Sequence, residues 1–239
     1  MINNIEYMKE DLLQIENVSH LSKIIDKFGT GDIILFGSRN YIVSKIIEWY
    51  CGSKWSHIGI ILKDPIDIDA NLKGYYLLQS TFGILPDSVS GVKEYGVQIV
   101  PLEETIQKYN GYISVRKLEG QSDEFKSIIN QKLAEIFITI RNKPYDLSLL
   151  DFLHLGMNID KPEEQTKYPL FNYLFGYGEY GHKTDRYICS GLVAYVYTEL
   201  GLLNYFFEWS ECMPKYFSEE NSLLYLNDEC KLSNEIVIK

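Results

Sequence analysis

Cys189 lies in the segment Arg186-Tyr187-Ile188-Cys189-Ser190-Gly191-Leu192-Val193-Ala194-Tyr195, which predicts an amphipathic helix with the thiol in its first turn. Unpaired backbone N–H groups and the positive end of the helix dipole meet at such a position. Both favour thiolate, the reactive form of the side chain. An unperturbed thiol has a pKa near ~8.5 and is only about 3% thiolate at neutral pH, so the placement bears directly on nucleophilic chemistry. His57 is the candidate base. It stands in Trp55-Ser56-His57-Ile58-Gly59-Ile60-Ile61-Leu62, whose alternation predicts a strand. Ile58, Ile60 and Leu62 share one face; His57, Gly59 and Ile61 share the other. A glycine two residues along leaves open space beside the imidazole. The apolar side of the Cys189 helix (Cys189, Leu192, Val193, Val196, Leu200) is expected to fill that space and bring sulfur and imidazole together.

A third polar group should hold the second ring nitrogen. The next predicted strand offers Gln79 and Ser80, which point to opposite faces, so only one of them shares the face of His57. Gln79 is preferred because its carbonyl oxygen accepts from an imidazole N–H. The remaining histidines are given lesser parts: His20 on the surface of the first helix, His154 and His182 at a helix end and in a loop. His182, seven residues before Cys189, is a rival base. Asp64, Asp67 and Asp69 lack the glycine and terminal glutamate of a calcium loop and read as a solvated turn. No histidine–cysteine cluster has zinc spacing, so no metal site is expected.

The elements that must position these groups follow from periodicity. Residues 4–28 predict a polar-rich amphipathic helix and Asp32–Phe36 a strand. Tyr41–Tyr50 predicts a second helix. Strands are expected at 55–62, 75–80, 97–100, 112–118 and 235–238. Pro101 is expected to open a helix through Tyr109. Residues 122–141 predict a long helix with Phe125, Ile128, Ile129, Leu133, Ile136 and Ile140 inward. Residues 156–186 read as a long loop, and its aromatic part, 168–180, could serve as a lid or an acyl-chain groove. Helices flanking a run of strands predict a single α+β domain over 1–239. Its core would span about 30–203, with an N-terminal helix 4–28 and a C-terminal extension 204–239.

Composition bounds the function classes. The 239 residues, 46% of them hydrophobic, suffice for a substantial core. A net charge of −10 argues against nucleic acid, whose non-specific binding rests on Lys and Arg. The first fourteen residues carry acidic groups and no apolar h-region, so no secretory signal is expected. No apolar run of about 18 residues predicts a transmembrane span, although peripheral membrane contact stays open. The four cysteines (51, 189, 212, 230) form no C-x-x-C pair and are expected to be reduced thiols in a cytoplasmic protein.

Taken together, Gly31-Asp32-Ile33-Ile34-Leu35, Trp55-Ser56-His57-Ile58-Gly59-Ile60 and Tyr187-Ile188-Cys189-Ser190-Gly191-Leu192-Val193 resemble the circularly permuted NlpC-type papain-like hydrolases, relatives of the lecithin:retinol acyltransferases. Gly96-Val97-Gln98-Ile99-Val100-Pro101-Leu102 and Lys143-Pro144-Tyr145-Asp146 add to the resemblance, which covers roughly residues 30–203. It implies a permuted papain-like fold: a central antiparallel sheet packed against the helix that carries the cysteine, with extra helices. It implies Cys189 as nucleophile and His57 as general base. The third position, often glutamate in permuted members, falls on Gln79. Tyr145 matches the tyrosine of the family's Pro-Tyr element, which lies near the thiol and helps to hold the oxyanion. The Cys189 backbone N–H is a second oxyanion donor. The implied activity is a cysteine hydrolase of the amidase or peptidase type, without cofactor, on a small-molecule, peptide or lipid substrate carrying an amide or ester. Thiol acyl transfer or phospholipase action on lipid esters is the first alternative, and a non-catalytic binding module is the second.

Overall fold

In the computed structural model, the described residues are 21–39, 44, 45, 48, 49, 52–83, 85–145, 186–203, 212–220, 224, 226, 227 and 230–239. The long loop, its aromatic stretch 168–180, His20, His154, His182 and Cys51 lie outside them. So does most of the helix expected at 4–28, of which residues 21–25 are described and helical. Of the helix expected at 41–50, residues 44, 45, 48 and 49 are described and helical.

The protein is α+β with a six-stranded antiparallel sheet. Its strands are β1 (Ile33–Ser38), β2 (His57–Lys63), β3 (Tyr75–Thr81), β4 (Gly96–Pro101), β5 (Gly111–Arg116) and, nearer the C-terminus, β8 (Ile236–Val237). Their order across the sheet is β4-β3-β2-β1-β5-β8. A small ladder joins β6 (Leu118–Glu119) to β7 (Lys231–Leu232). The helices α1 (Leu102–Lys108), α2 (Asp123–Ile140) and α3 (Cys189–Glu199) complete the frame.

Strand alternation sorts the core into two layers. Ile33, Leu35, Ile58, Ile60, Leu62 and Leu78 face α2 and α3, where Leu133, Leu192, Val193 and Val196 pack. Ile34, Phe36, Ile61, Leu77, Val100 and Val115 face the opposite way, toward Leu102 and Ile106 of α1 and toward Ile25 and Phe28. Each such aliphatic side chain contributes roughly 1.5–3 kcal/mol when removed from water. Helix α2 begins where Ser122 caps it, its side chain accepting from the Phe125 N–H at 3.1 Å. Its buried stripe includes Phe137 beside the expected Ile129, Leu133, Ile136 and Ile140.

Two local expectations shift. Pro101 is the last residue of β4 and the N-cap of α1, so the helix opens at Leu102. The strand expected through Leu118 stops at Arg116, and Leu118 turns to pair with Leu232. Arg116 fixes this turn by donating to three backbone carbonyls: Ser233 at 2.6 Å, Phe217 at 2.9 Å and Leu232 at 3.1 Å. The C-terminal segment is thereby stitched to the sheet.

Candidate functional site

The site forms where β1 ends and β2 begins. The β2–β3 ladder runs from Lys63↔Tyr75 to Ile60↔Leu78 and stops there. Continued in register, it would place Gly59 opposite Gln79 and Ile58 opposite Ser80. There the Ile58 backbone N–H lies near the sulfur of Cys189 and acts to lower its pKa. The thiol therefore sits beside the peptide that joins His57 to Ile58. Two further elements hold the helix start in place. The Ser80 hydroxyl donates to the Tyr187 carbonyl at 2.7 Å, and the Tyr187 N–H donates to the Pro144 carbonyl at 3.1 Å. At the far end of α3, the Tyr197 hydroxyl donates to the Gly31 carbonyl at 2.6 Å.

His57 and Gln79 share one face, and His57 Nε2 lies 2.7 Å from Gln79 Oε1. An amide oxygen only accepts, so Nε2 carries the proton. In the neutral ring this leaves Nδ1, the nitrogen nearer the main chain, as the basic atom. The imidazole also leans on Phe36, its cross-strand partner, with ring centroids 5.5 Å apart. Burial pushes the His57 pKa below its usual value, and the Gln79 hydrogen bond opposes that shift in part. At neutral pH the ring is an uncharged base.

The route by which the helix approaches differs from the expectation. Helix α3 packs on the face of Ile58, Ile60 and Leu62, not on the face of His57 and Gly59. The physical reason is occupancy. The His57 face is already covered by Leu102 and Ile106 of α1 and by Ile25 and Phe28, so the apolar stripe of α3 is buried on the other face. The space over Gly59 is filled from β3. A Cβ there would meet Leu77 Cδ1 at 2.5 Å and the Leu78 carbonyl oxygen at 2.9 Å. Gly59→Ala is therefore expected to push β3 outward and to destabilise the protein by about 1–3 kcal/mol, as overpacking does. Urea denaturation measures this, and an unchanged midpoint would show that β2 and β3 are not so tightly apposed.

The electrostatics of the thiol also differ. Burial raises the Cys189 pKa to about 11. The N–H groups of Ile58, Ser190 and Cys189 itself act to lower it, but they do not match the desolvation. Cys189 is 5% exposed, and the loss of water around a thiolate outweighs the helix terminus. At neutral pH the resting side chain is a protonated thiol.

Tyr145 reaches the same end of the sheet through its main chain, which forms a parallel bridge with Tyr187. Its ring packs on Phe82 at 4.5 Å between centroids. Ser80, the other residue weighed for the third position, points away from His57. Asp64 and Asp69 serve local turns: Asp64 accepts from the Gly74 N–H at 2.7 Å and Asp69 from the Asn71 N–H at 2.8 Å. Among the described residues, no group of three or more His, Cys, Asp or Glu side chains is placed to hold a metal ion.

Three groups near the site had no reading of their own in the sequence. Cys212 is buried, and its carbonyl accepts from the Ser190 hydroxyl at 2.5 Å. Glu235 accepts from the indole N–H of buried Trp55 at 3.2 Å and so steadies the entry to β2. Gln98 is 1% exposed, and neither its Oε1 nor its Nε2 has a hydrogen-bond partner among the described residues. Leaving a buried amide unpaired costs roughly 1–3 kcal/mol. Only the Gln98 signal was within reach, because alternation sets it apart from Val97 and Ile99. A separate open cavity of about 570 Å³ lies at the other end of the strands, bordered by Lys27, Asp32, Lys63, Asp64 and Lys117. It contains neither His57 nor Cys189.

Fold and site thus define an α+β protein with a buried thiol at a helix start and, at the same end of the sheet, an imidazole held by an amide. No family model matches the chain. It is 32% identical over 161 residues to the uncharacterized protein R372 of Acanthamoeba polyphaga mimivirus, over 59% of this chain and 58% of that protein. The chain therefore spans less than two thirds of that relative's length. Among solved structures it is similar to the metalloprotein yiiX from Escherichia coli O157:H7, a DUF1105 protein. That likeness has a TM-score of 0.42 and 25% identity, over 72% of this chain and 66% of that one. No helix among the described residues is long and apolar enough to cross a membrane.

Proposed function

We propose that the protein is a cysteine hydrolase of the amidase or peptidase type, built on a permuted NlpC-type papain-like fold and working through an acyl-enzyme. One observation supports this reading. The imidazole is fixed by Gln79 with Nδ1 left basic, and the N–H of the very next residue, Ile58, is near enough to the Cys189 sulfur to act against the rise of its pKa. A nucleophile, a base and a group orienting the base are the three parts such chemistry needs.

The proposed steps follow from the resting charges. Because thiol and imidazole are both neutral, His57 Nδ1 takes the thiol proton as sulfur attacks the substrate carbonyl. The new C–S bond leaves an oxyanion, for which the N–H groups at the start of α3 are the nearest donors. In the proposal, the Tyr145 hydroxyl adds a further donor. Collapse of the intermediate expels the amine, which leaves with the proton from His57. Water, deprotonated by His57, then attacks the thioester and frees Cys189. The proposed substrate is a small molecule, peptide or lipid carrying an amide or ester. A net charge of −10 suits neutral or cationic ones.

Incubation with panels of amides and lipid esters, followed by intact-mass spectrometry, tests the proposal. The expected result is an acyl adduct on Cys189 that decays with water. An adduct that resists water but passes to an added amine or alcohol would replace hydrolysis by acyl transfer. No adduct with any member of either panel, on a protein whose Cys189 alkylates no faster than free cysteine, would leave a binding module.

A further inference from the structure

Among the described residues the exposed aromatic side chains are Trp49 (66%), Phe82 (40%), Tyr95 (70%) and Tyr112 (48%). All of them lie at the end of the sheet where His57 stands. Register fixes this. Phe36 is opposite His57 and, two residues on, Ser38 is opposite Gly111, the neighbour of Tyr112. Thr81 is opposite Gly96, so Phe82 follows β3 and Tyr95 precedes β4 at that same end. Trp49 belongs to the connection from β1 to β2, whose Glu48 accepts from the Ser38 N–H at 2.8 Å. Neighbouring strands lie about 4.8 Å apart, so the row from Tyr112 on β5 to Tyr95 before β4 spans roughly 20 Å. The connections at the opposite end expose Ile66 but no aromatic ring among the described residues. Single exposed apolar side chains are ordinary, whereas a concentration of rings on one side marks an interaction surface. Charge follows the same axis. Arg39 lies over the Tyr112 ring at 5.0 Å, and Lys93 is two residues from Tyr95. Arg141 flanks the turn whose Lys143 carbonyl accepts from the Val97 N–H at 3.0 Å. Lys93, Arg141 and Lys143 form no ion pair among the described residues. The carboxylates here are engaged: Glu48 with Lys45 at 2.6 Å and Glu94 with the Ser90 hydroxyl at 3.0 Å. On a chain of net charge −10, Asp64, Asp67, Asp69, Glu103 and Glu104 instead lie beyond the opposite ends of β2 and β4.

We propose that this end of the molecule is a membrane-docking surface, which seats the aromatic row and its flanking cations on a phospholipid interface containing anionic lipid. Trp and Tyr concentrate at the boundary of membrane and water because the ring enters the acyl region while the polar tip stays wet. Lys and Arg beside them gain from anionic headgroups. The rings stand along a sheet end with cations between them and do not close on one central pocket. That layout suits a laterally fluid surface better than a protein partner, whose contact energy gathers in a central cluster. Docked in this way, the end that carries His57 and the Cys189 helix start faces the lipid, and the group brought to it is a lipid carbonyl. The surface goes beyond the hydrolase reading and does not depend on it, because binding needs no turnover.

Co-sedimentation of the full chain with vesicles tests the proposal, using phosphatidylcholine alone and phosphatidylcholine mixed with phosphatidylserine. The native protein is expected to bind the mixed vesicles at least about tenfold more tightly, and to lose that preference at high salt. Trp49 reports its own depth. A difference spectrum against Trp49→Phe isolates it from the other two tryptophans. Its emission is expected to shift to the blue on binding and to be quenched by lipids brominated in the acyl chain. Trp49→Ser and Tyr95→Ser are each expected to weaken binding by about fivefold to tenfold. Arg141→Gln is expected to cost about fivefold on the mixed vesicles and nothing on phosphatidylcholine alone. Ile66→Ser, at the opposite end, is expected to change nothing. A native protein that binds neither vesicle would overturn the proposal and leave the row of rings to a protein partner. Binding that Trp49→Ser and Tyr95→Ser leave intact, or that Ile66→Ser weakens equally, would overturn it as well. Vesicle binding by a protein that acylates nothing would sink the hydrolase and keep the docking surface, and hydrolysis without vesicle binding would do the reverse.

Discussion

Cys189→Ser is expected to abolish the acyl adduct and to lower turnover by about 10⁴–10⁶-fold, the loss typical of removing a nucleophile that acts in concert with its base. The fold should persist, since serine occupies nearly the same volume. The more searching measurement is the pH dependence of alkylation in the native protein. Burial holds the thiol pKa at about 11. The thiolate fraction should therefore rise about tenfold per pH unit from neutrality to about pH 10, and iodoacetamide should label Cys189 in proportion. A plateau of fast labelling between pH 5 and 7 would reveal a preformed thiolate–imidazolium pair and contradict the neutral resting state. Stability carries the same sign. The folded-state pKa is raised above the unfolded value, so this contribution is complete below about pH 9 and is lost as pH climbs toward 11.

His57→Ala is expected to cost about 10²–10⁴-fold in turnover while leaving the Cys189 side chain in place. Gln79→Glu separates orientation from charge. The native amide orients the ring, and burial keeps the His57 pKa low. Burial favours the uncharged base, so the acid limb of kcat/KM should lie below the usual histidine value. A carboxylate placed 2.7 Å from Nε2 would favour imidazolium and shift that limb upward by about 1–3 pH units. Rates above the limb should hold or improve. A limb that does not move would mean that His57 is not the group whose protonation stops the reaction.

Much of this protein is legible in its amino-acid sequence. The strands around His57 and Gln79 show themselves by alternation, and the helix from Cys189 by its three- and four-residue apolar spacing. Those signals are local, set by backbone periodicity. The pairing of Leu118 with Leu232 and the grip of Arg116 on the C-terminal segment are not legible there, because they join residues more than 100 positions apart. No local pattern specifies such partners. Glu235 bonding Trp55 belongs to the same class.

The site divides along the same line. By itself the sequence determined the residue types, the strand carrying His57, the helix start carrying Cys189, and a choice of two for the third position. Register decided that choice. Gln79 bonds His57, and Ser80 turns to Tyr187. Tertiary packing also overruled two expectations. The other face of the sheet is covered by α1 and by Ile25 and Phe28, so α3 lies over Ile58, Ile60 and Leu62, and the thiol comes near the His57–Ile58 peptide where the β2–β3 ladder stops. A helix start favours thiolate only while water reaches it. Enclosed by the core, the sulfur keeps its proton at neutral pH. Periodicity is written residue by residue, whereas register, burial and desolvation exist only once distant segments meet.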